Sequence, residues 1–235
     1  MKYFALIFFC IFSLHATEDP PSFAVFTPPK TWEIVSPETL PGHVVVSFVG
    51  KSRKELAPSI NLAIEEISCS SAEYLKIVKN LNRSHSGNKW RDLGKFKTEA
   101  GEAHLSEIET KIPSGTVRLL QLIFVHDNRA YILTAGALKE EFARHYQEFE
   151  GALKSFSITK DLFSCITNNE KKEKLLEAIA HLKENKLSRD AFLNPQFQES
   201  TWIPFQNQFL KDSIEQGAYF QLLALQQIAS QLLIE

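Results

Sequence analysis

The stretch Val117-Arg118-Leu119-Leu120-Gln121-Leu122-Ile123-Phe124-Val125-His126-Asp127-Asn128-Arg129-Ala130-Tyr131-Ile132-Leu133-Thr134-Ala135 decides the fold class of this 235-residue chain. Both of its halves are rich in branched aliphatic and aromatic residues, a composition typical of β-strands. The four residues from His126 to Arg129 separate the halves and predict a tight turn. The stretch therefore predicts a hairpin of two antiparallel strands.

The residues before the hairpin predict more strands and one helix. Val44–Val49 is a β-branched run that ends at Gly50, and an apolar residue at every second position from Ile60 to Ile64 predicts a strand with one buried face. Ser70 and Glu73 form a capping box, and a helical apolar stripe follows. The members of this stripe are Tyr74, Ile77, Val78 and Leu81. Ala100-Gly101 predicts a turn between strands near 93–98 and 103–112.

A second helix is predicted after the hairpin. One apolar stripe is formed by Leu138, Phe142, Tyr146, Phe149 and Leu153. The order of elements is strands, helix, antiparallel meander and helix. This order predicts an α+β fold in which helices pack on an antiparallel sheet.

The composition changes near residue 155. Only Gly217 of nine glycines lies beyond Gly151, whereas nine of eleven glutamines lie between Gln196 and Gln231. Loss of glycine and proline indicates helix. We therefore predict a mixed α/β domain over residues 22–159 and an all-helical region over residues 160–235.

The helical region carries the candidate interaction surface of the chain. We predict a helix over 169–185 with Leu175, Ile179 and Leu182 inward, and a second helical stretch from Thr201. A later seam with 4-3-4-3 spacing contains Ala218, Leu222, Leu225, Ala229 and Leu232. The aromatic residues proposed to contact a partner are Trp202, Phe205, Phe209, Tyr219 and Phe220. Alternatively, these helices pair with each other and dock on the mixed domain.

The N-terminus predicts export. Lys2 precedes an apolar run from Tyr3 to Leu14, the pattern of a signal peptide, with cleavage expected after Ala16. The run is shorter than the roughly 20 residues that a transmembrane helix needs. Cys10 follows Phe9 rather than a small residue, which argues against lipid attachment. The mature protein is thus expected to lack a transmembrane segment and to be periplasmic or secreted.

Two cysteines remain in the mature chain. Cys69 and Cys165 are both predicted at ends of elements, in a compartment that permits oxidation. They form either a disulfide that ties the helical region to the mixed domain, or two separate buried thiols. Their spacing does not decide between these alternatives.

No pattern in the sequence predicts catalysis, a metal site or a cofactor site. Ser84 and His85 are adjacent, but no nucleophile elbow accompanies them. The histidines lack metal-ligand spacing, and the isolated glycines form no phosphate loop. The 26 basic and 28 acidic residues give a net charge of −2, which does not favour binding to nucleic acid.

Two motifs resemble those of a known family. Phe26-Thr27-Pro28-Pro29-Lys30-Thr31-Trp32 is similar to the opening of the PsbP-like superfamily, which includes exported bacterial proteins of the DcrB type. Arg129–Thr134, the later Phe142 and Phe149, and Ser155-Phe156 resemble its closing pattern. The resemblance covers residues 22–159 only. It implies an α/β/α sandwich, no enzyme activity, and a role as an assembly, stabilising or binding subunit.

The sequence thus predicts an exported, non-catalytic accessory or binding protein of the bacterial envelope that acts through protein–protein contacts. The alternative function is that of a small-ligand or metal-binding protein with a pocket between sheet and helices. A partner surface requires exposed aromatic residues on the helical region, whereas a ligand site requires a closed pocket. The oligomeric state stays open.

Overall fold

The computed structural model describes residues 22–36, 39–85, 87–166, 168–184 and 187–233. The predicted signal peptide, its cleavage position after Ala16 and Cys10 lie outside these residues. The strands are β1 (Phe23–Val25), β2 (Glu33–Ile34), β3 (Val44–Val49), β4 (Ser59–Glu66), β5 (Lys89–Thr98), β6 (Gly101–Ile112), β7 (Gly115–His126), β8 (Arg129–Leu138) and β9 (Ser157–Thr159). The helices are α1 (Ser71–Ser84), α2 (Lys139–Lys154), α3 (Asn169–Lys183), α4 (Arg189–Leu193), α5 (Pro195–Phe197), α6 (Ile203–Asp212) and α7 (Gly217–Leu232).

Seven of the strands form one antiparallel sheet in the order β2-β3-β4-β8-β7-β6-β5, and β1 pairs separately with β9. Strand β4 pairs with β8 over its full length, from Ser59 opposite Gly136 to Glu66 opposite Arg129. The α+β prediction, with helices on an antiparallel sheet and a helical C-terminal part, is confirmed.

The hairpin that decides the fold class closes at Asp127 and Asn128. Both residues have positive φ values, 48° and 56°. Positive φ at both central positions matches the right-handed twist of the paired strands, and Asp and Asn tolerate this conformation well. The turn therefore sets the register that runs from His126–Arg129 to Val117–Leu138.

Helix α2 packs on β7 and β8 and covers one face of the sheet. Phe142, Phe149 and Leu153 are buried as predicted, but Tyr146 of the same predicted stripe is 44% exposed. Tyr146 lies at the edge of the stripe, where its ring still contacts Phe142 at 6.3 Å between centroids. Its polar hydroxyl is compatible with that edge position.

Helix α1 packs on the opposite face. Ser70 caps its N-terminus by accepting a hydrogen bond from the Glu73 backbone N–H, and the Glu73 carboxylate accepts one from the Ser70 backbone N–H, as the capping box predicts. Tyr74 is the buried anchor and packs with Ile123, Ala130 and Ile132 of the sheet.

The chain divides into two compact units. The sandwich unit contains Ala24–Ile158 together with Gly217–Tyr219, and the helical unit contains Thr159–Gln216 and the chain from Phe220 onward. Within the sandwich unit, the Tyr219 ring lies 5.1 Å from that of Phe26 and 6.4 Å from that of Phe48.

In the helical unit, α3 buries Leu175, Ile179 and Leu182 as predicted. A π-helical turn, Gln198–Trp202, joins α5 to α6, and its Ile203 N–H donates to the Gln198 carbonyl five residues earlier. Pro204 follows directly, and its missing N–H and bulky ring disfavour a regular α-helical ladder at this point.

The predicted 4-3-4-3 seam of α7 is wrong in part. Leu225, Ala229 and Leu232 are buried, but Ala218 is exposed. The buried face also includes Phe220, Ala224 and Ile228, which follow one another at four-residue spacing. A helix that packs with the 3.6-residue period buries a broader stripe than a heptad seam, and this face is such a stripe.

Candidate functional site

Metal binding and the Ser84–His85 pair can be checked on the residues that the structure describes. Among them, no group of three or more His, Cys, Asp or Glu side chains is placed to hold a metal ion. The Ser84 hydroxyl donates to the Leu81 carbonyl, and His85 Nδ1 lies 2.8 Å from the same oxygen. These two side chains therefore close the end of α1 instead of pairing as nucleophile and base. None of the described helices is both long and apolar enough to cross a membrane.

The predicted interaction surface of the helical region is buried. Trp202, Phe209, Tyr219 and Phe220 are each at most 4% exposed, and Phe205 is half-buried. Four of the rings form a chain in the helical unit: Trp202 contacts Phe205, Phe205 contacts Phe209, and Phe209 contacts Phe220. The prediction of an exposed aromatic surface here is wrong, because a unit made of short helices needs these large rings for its own core.

The disulfide between Cys69 and Cys165 stays a prediction. Cys69 is a half-buried thiol that packs against the cluster around Tyr74, whereas Cys165 is exposed. The reading of Cys69 as a small apolar residue of a core fits its position.

The two most exposed large apolar side chains of the sandwich unit both lie on α1. Ile77 is 54% exposed and Leu81 is 60% exposed, although both belong to the predicted buried stripe. We call these two side chains the α1 surface. Tyr74, Leu75 and Val78 point to the sheet, and at 100° per residue Ile77 and Leu81 lie on one flank of that inward direction. The stripe prediction is thus correct for one edge of the stripe and wrong for the other.

The opposite flank of α1 is held on the edge strand β5. The Lys79 Nζ lies 5.5 Å from the ring centre of Trp90, and the Arg83 guanidinium lies 5.3 Å from it. Both cations thus contact the indole, an attractive arrangement. This anchoring directs the α1 surface away from β5 and towards the part of the sheet that contains β8 and β4.

The first turn of α1 contains a buried tyrosine that donates a hydrogen bond to a carboxylate. The Tyr74 hydroxyl donates to Glu65 Oε2 at 2.7 Å. Burial raises the pKa of Tyr74 well above its usual value, and the Glu65 carboxylate raises it further. Tyr74 therefore stays neutral at physiological pH, and the pair fixes the start of α1 on β4.

One open depression lies beside the first turn of α1. Its lining residues are Glu66, Ile67, Ser68, Asp127, Asn128 and Arg129. The Ile67 N–H donates to the Asn128 carbonyl across it, at 2.8 Å. The depression is shallow and open to solvent, unlike the closed pocket that a small-ligand site requires.

Two features of the sequence could have located the α1 surface. Ile77 and Leu81 are four residues apart, and the capping box fixes where α1 begins. However, the sequence alone does not predict how far a helix is rotated about its own axis when it packs on the sheet. The exposed edge of the stripe depends on the Lys79–Trp90 and Arg83–Trp90 contacts.

No protein-family model matches this chain, and no curated protein matches it. Solved structures do. One is LpqN of Mycobacterium tuberculosis, which is involved in cell envelope biogenesis. The two chains are 14% identical, the match covers 60% of this chain and 86% of LpqN, and the TM-score is 0.47. The cyanobacterial PsbP (CyanoP) of Synechocystis is 12% identical over 63% of this chain and 99% of its own, with a TM-score of 0.42.

The Ran-binding protein Mog1p of Saccharomyces cerevisiae is 14% identical over 59% of this chain and 95% of its own, with a TM-score of 0.41. One of these proteins is a PsbP, the family that the motifs at Phe26–Trp32 and Ser155-Phe156 resemble. The α+β arrangement that the resemblance implies, with helices and one antiparallel sheet, is present in this chain.

Proposed function

We propose that this protein is an exported, non-catalytic accessory or binding protein of the bacterial envelope, and that it binds a protein partner through the α1 surface. The observation that carries the proposal is the exposure of Ile77 and Leu81 one helical turn apart. Single exposed aliphatic residues are common on protein surfaces, but adjacent ones on a helix anchored by its other flank form a contiguous contact point.

The energetics of this surface favour a covered state. Full burial of a Leu or Ile side chain contributes about 1.5–3 kcal/mol. Since slightly more than half of each side chain is exposed, a partner that covers both gains roughly 2–3 kcal/mol from these two residues together. This is the contribution expected of a small anchor at the centre of an interface.

Pairwise comparison of two matched variants tests the proposal. Leu81→Lys introduces a charge on the α1 surface, and Ile214→Lys introduces the same charge on an isoleucine of the helical unit that is 72% exposed. Both variants should keep the stability of the wild type within about 0.5 kcal/mol, because exposed positions tolerate substitution.

The tagged wild type and both variants are then recovered from the envelope of the native cells. We expect a partner protein to copurify with the wild type and with Ile214→Lys, but not with Leu81→Lys. When this protein and the identified partner are purified and mixed, Leu81→Lys should weaken their binding at least tenfold. Equal recovery with all three proteins would show that α1 is not the binding surface.

Export is the second part of the proposal and rests on Lys2 and the apolar run from Tyr3 to Leu14. Intact-mass measurement of the protein isolated from cells should give a chain that begins at Thr17. A retained Met1, or a mass increase from lipid on Cys10, would contradict export by a cleaved signal peptide.

A further inference from the structure

Helix α1 and the start of β5 carry an excess of positive charge. From Tyr74 to Arg91 the chain has five lysine and arginine residues and no aspartate or glutamate, whereas the whole chain has a net charge of −2. Positive charge is thus segregated in one part of a chain that is acidic overall. A patch of one sign attracts partners of the opposite sign.

Three of these cations form a row along the solvent side of α1. They are Lys76, Lys79 and Arg83, at positions i, i+3 and i+7 of the helix. At 100° and 1.5 Å per residue they lie within about 60° of one another around the helix axis and span about 10 Å along it. Lys76 and Arg83 are exposed, and Lys79 is half-buried. We call these three side chains the α1 basic row.

Within the described part of the chain, the α1 basic row forms no ion pair. Lys79 and Arg83 contact the indole of Trp90, which does not neutralise their charges. The acidic residues that precede and follow the row in the sequence have other partners: the Glu73 carboxylate is held by the capping box, and the Asp92 carboxylate is held by residues of the β5–β6 hairpin. Like charges three or four residues apart on a helix repel one another, and a bound anionic group would remove this repulsion.

Helix α3 shows how the same spacing is neutralised elsewhere in the chain. Lys171 and Lys174 are three residues apart, as are the two lysines of the row. The Lys171 Nζ lies 3.5 Å from Glu215 Oε2. The Lys174 Nζ lies 2.7 Å from Glu170 Oε1. Lysines at this spacing therefore have acidic partners on α3, whereas those of α1 have none among the described residues.

We infer that the α1 basic row binds an acidic segment of a partner protein. Successive turns of a helix are about 5.4 Å apart, and alternate residues of a strand are roughly 6.7 Å apart. Carboxylates at either spacing match the row, whose cations follow one another at about one helical turn. Complementary charges of this kind steer the partner to the site and fix its register there.

A flat anionic membrane fits the geometry less well than a protein segment does. The α1 basic row is centred roughly 150° around the helix axis from the α1 surface of Ile77 and Leu81. Helices that lie on membranes combine basic side chains with apolar side chains that enter the bilayer. A bilayer in contact with the row would leave both exposed aliphatic side chains of α1 outside it. A protein partner can follow the curved surface of the helix.

This inference goes beyond the proposed function, because it adds a contact site on the other side of α1 and holds whether or not the α1 surface is covered. Leu81→Lys leaves the α1 basic row intact, so it should not weaken binding there. The two proposals can therefore fail separately.

The probe for the test is a fluorescently labelled polyglutamate peptide of about twelve residues, which is longer than the row both as a helix and as a strand. The double variant Lys76→Gln/Lys79→Gln removes two charges from the row. The matched control Lys171→Gln/Lys174→Gln removes the same charges at the same spacing from the ion-paired lysines of α3. Lys76→Gln alone keeps both contacts with Trp90 and separates loss of charge from loss of packing.

Binding is measured by fluorescence anisotropy. In about 20 mM salt we expect the peptide to bind the wild type, and about 500 mM salt should abolish the binding, since salt screens exposed charges. Lys76→Gln/Lys79→Gln should weaken the binding by about fivefold or more, because two charge pairs are lost, and the α3 control should change it by less than about twofold. Lys76→Gln alone should weaken the binding by a smaller factor and leave the melting temperature unchanged.

Three outcomes would overturn the inference. The first is the absence of peptide binding to the wild type at low salt. The second is an equal effect of the two double variants, which would show that binding follows net charge and not the row. The third is tighter binding of phosphatidylglycerol vesicles than of the peptide, with loss of vesicle binding in Lys76→Gln/Lys79→Gln, which would assign the row to a membrane surface.

Discussion

Glu109 is the centre of a charged network, and its replacement provides a sharp test of the sandwich unit. Its carboxylate Oε1 accepts hydrogen bonds from Arg118 Nε at 3.0 Å and Nη2 at 2.6 Å, and its Oε2 accepts one from Lys139 Nζ at 3.0 Å. These contacts join β6, β7 and the first residue of α2. The Glu109 side chain is only 14% exposed, so solvent screens its charge less than it screens a surface carboxylate.

Glu109→Gln keeps the shape of the side chain and removes its charge. A hydrogen bond to a charged group contributes about 1.5–3 kcal/mol, and the glutamine oxygen can still accept from Arg118. The net loss should therefore equal about one such bond, roughly 1.5–3 kcal/mol at pH 7. For a chain of this size, each kcal/mol corresponds to about 2–4 °C, so the melting temperature should fall by roughly 3–12 °C.

The effect should depend on pH in a defined direction. The hydrogen bonds from Lys139 and Arg118 lower the pKa of Glu109 below its ordinary value of 4.5. A lowered folded-state pKa gives a stability contribution that is complete above the unfolded-state pKa and is lost as the pH falls through the folded-state pKa. The difference between wild type and Glu109→Gln should thus be full at pH 7 and should shrink below pH 4.

Urea denaturation at pH 7 and at pH 3 measures this difference, with Glu102→Gln as the control. Glu102 is on the same strand, but its pair with Lys95 is exposed, with 60% and 78% of the two side chains accessible. Exposed pairs contribute little, so no measurable change is expected from Glu102→Gln. Equal effects of the two substitutions, or a Glu109→Gln effect that is the same at both pH values, would refute the assignment of stability to this network.

Three further predictions concern packing. A Cβ on Gly136 would overlap Leu119 Cδ2 and would lie 3.1 Å from the Arg118 carbonyl oxygen, so Gly136→Ala should destabilise the protein by about 1–3 kcal/mol in thermal denaturation. Gly87→Ala is the control, because a Cβ there meets open space, and equal melting temperatures of the two variants would contradict the prediction. A Cβ on Gly50 would lie 2.9 Å from Trp32 Cε2, so Gly50→Ala should displace the indole and shift its fluorescence to longer wavelength, and an unchanged spectrum would contradict the contact. A chain that ends at Lys160 should still melt cooperatively, but at a lower temperature than the full chain, because it lacks the Tyr219 ring that packs on Phe26 and Phe48. Tyr219→Ala in the full chain should lose a similar part of the stability. A non-cooperative transition of the shortened chain would show that residues 22–159 do not fold alone.

The sandwich was predictable because its elements are specified locally. The Asp127-Asn128 turn fixes a hairpin, and its register then fixes which side chains share a face. The Ser70–Glu73 capping box fixes the start of α1 to the residue. Such signals depend only on residues a few positions apart, so they can be recognised without knowledge of the rest of the fold.

The candidate surfaces were not predictable, because they depend on contacts between distant residues. Trp202 and Phe209 have the composition of an interface, yet they are buried in a chain of aromatic contacts that links α6 to α7. Ile77 and Leu81 have the spacing of a core stripe, yet Trp90 of a different strand holds α1 so that they are exposed. In both cases the sequence pattern identified the apolar residues, and only the packing decides whether their side chains are buried or exposed.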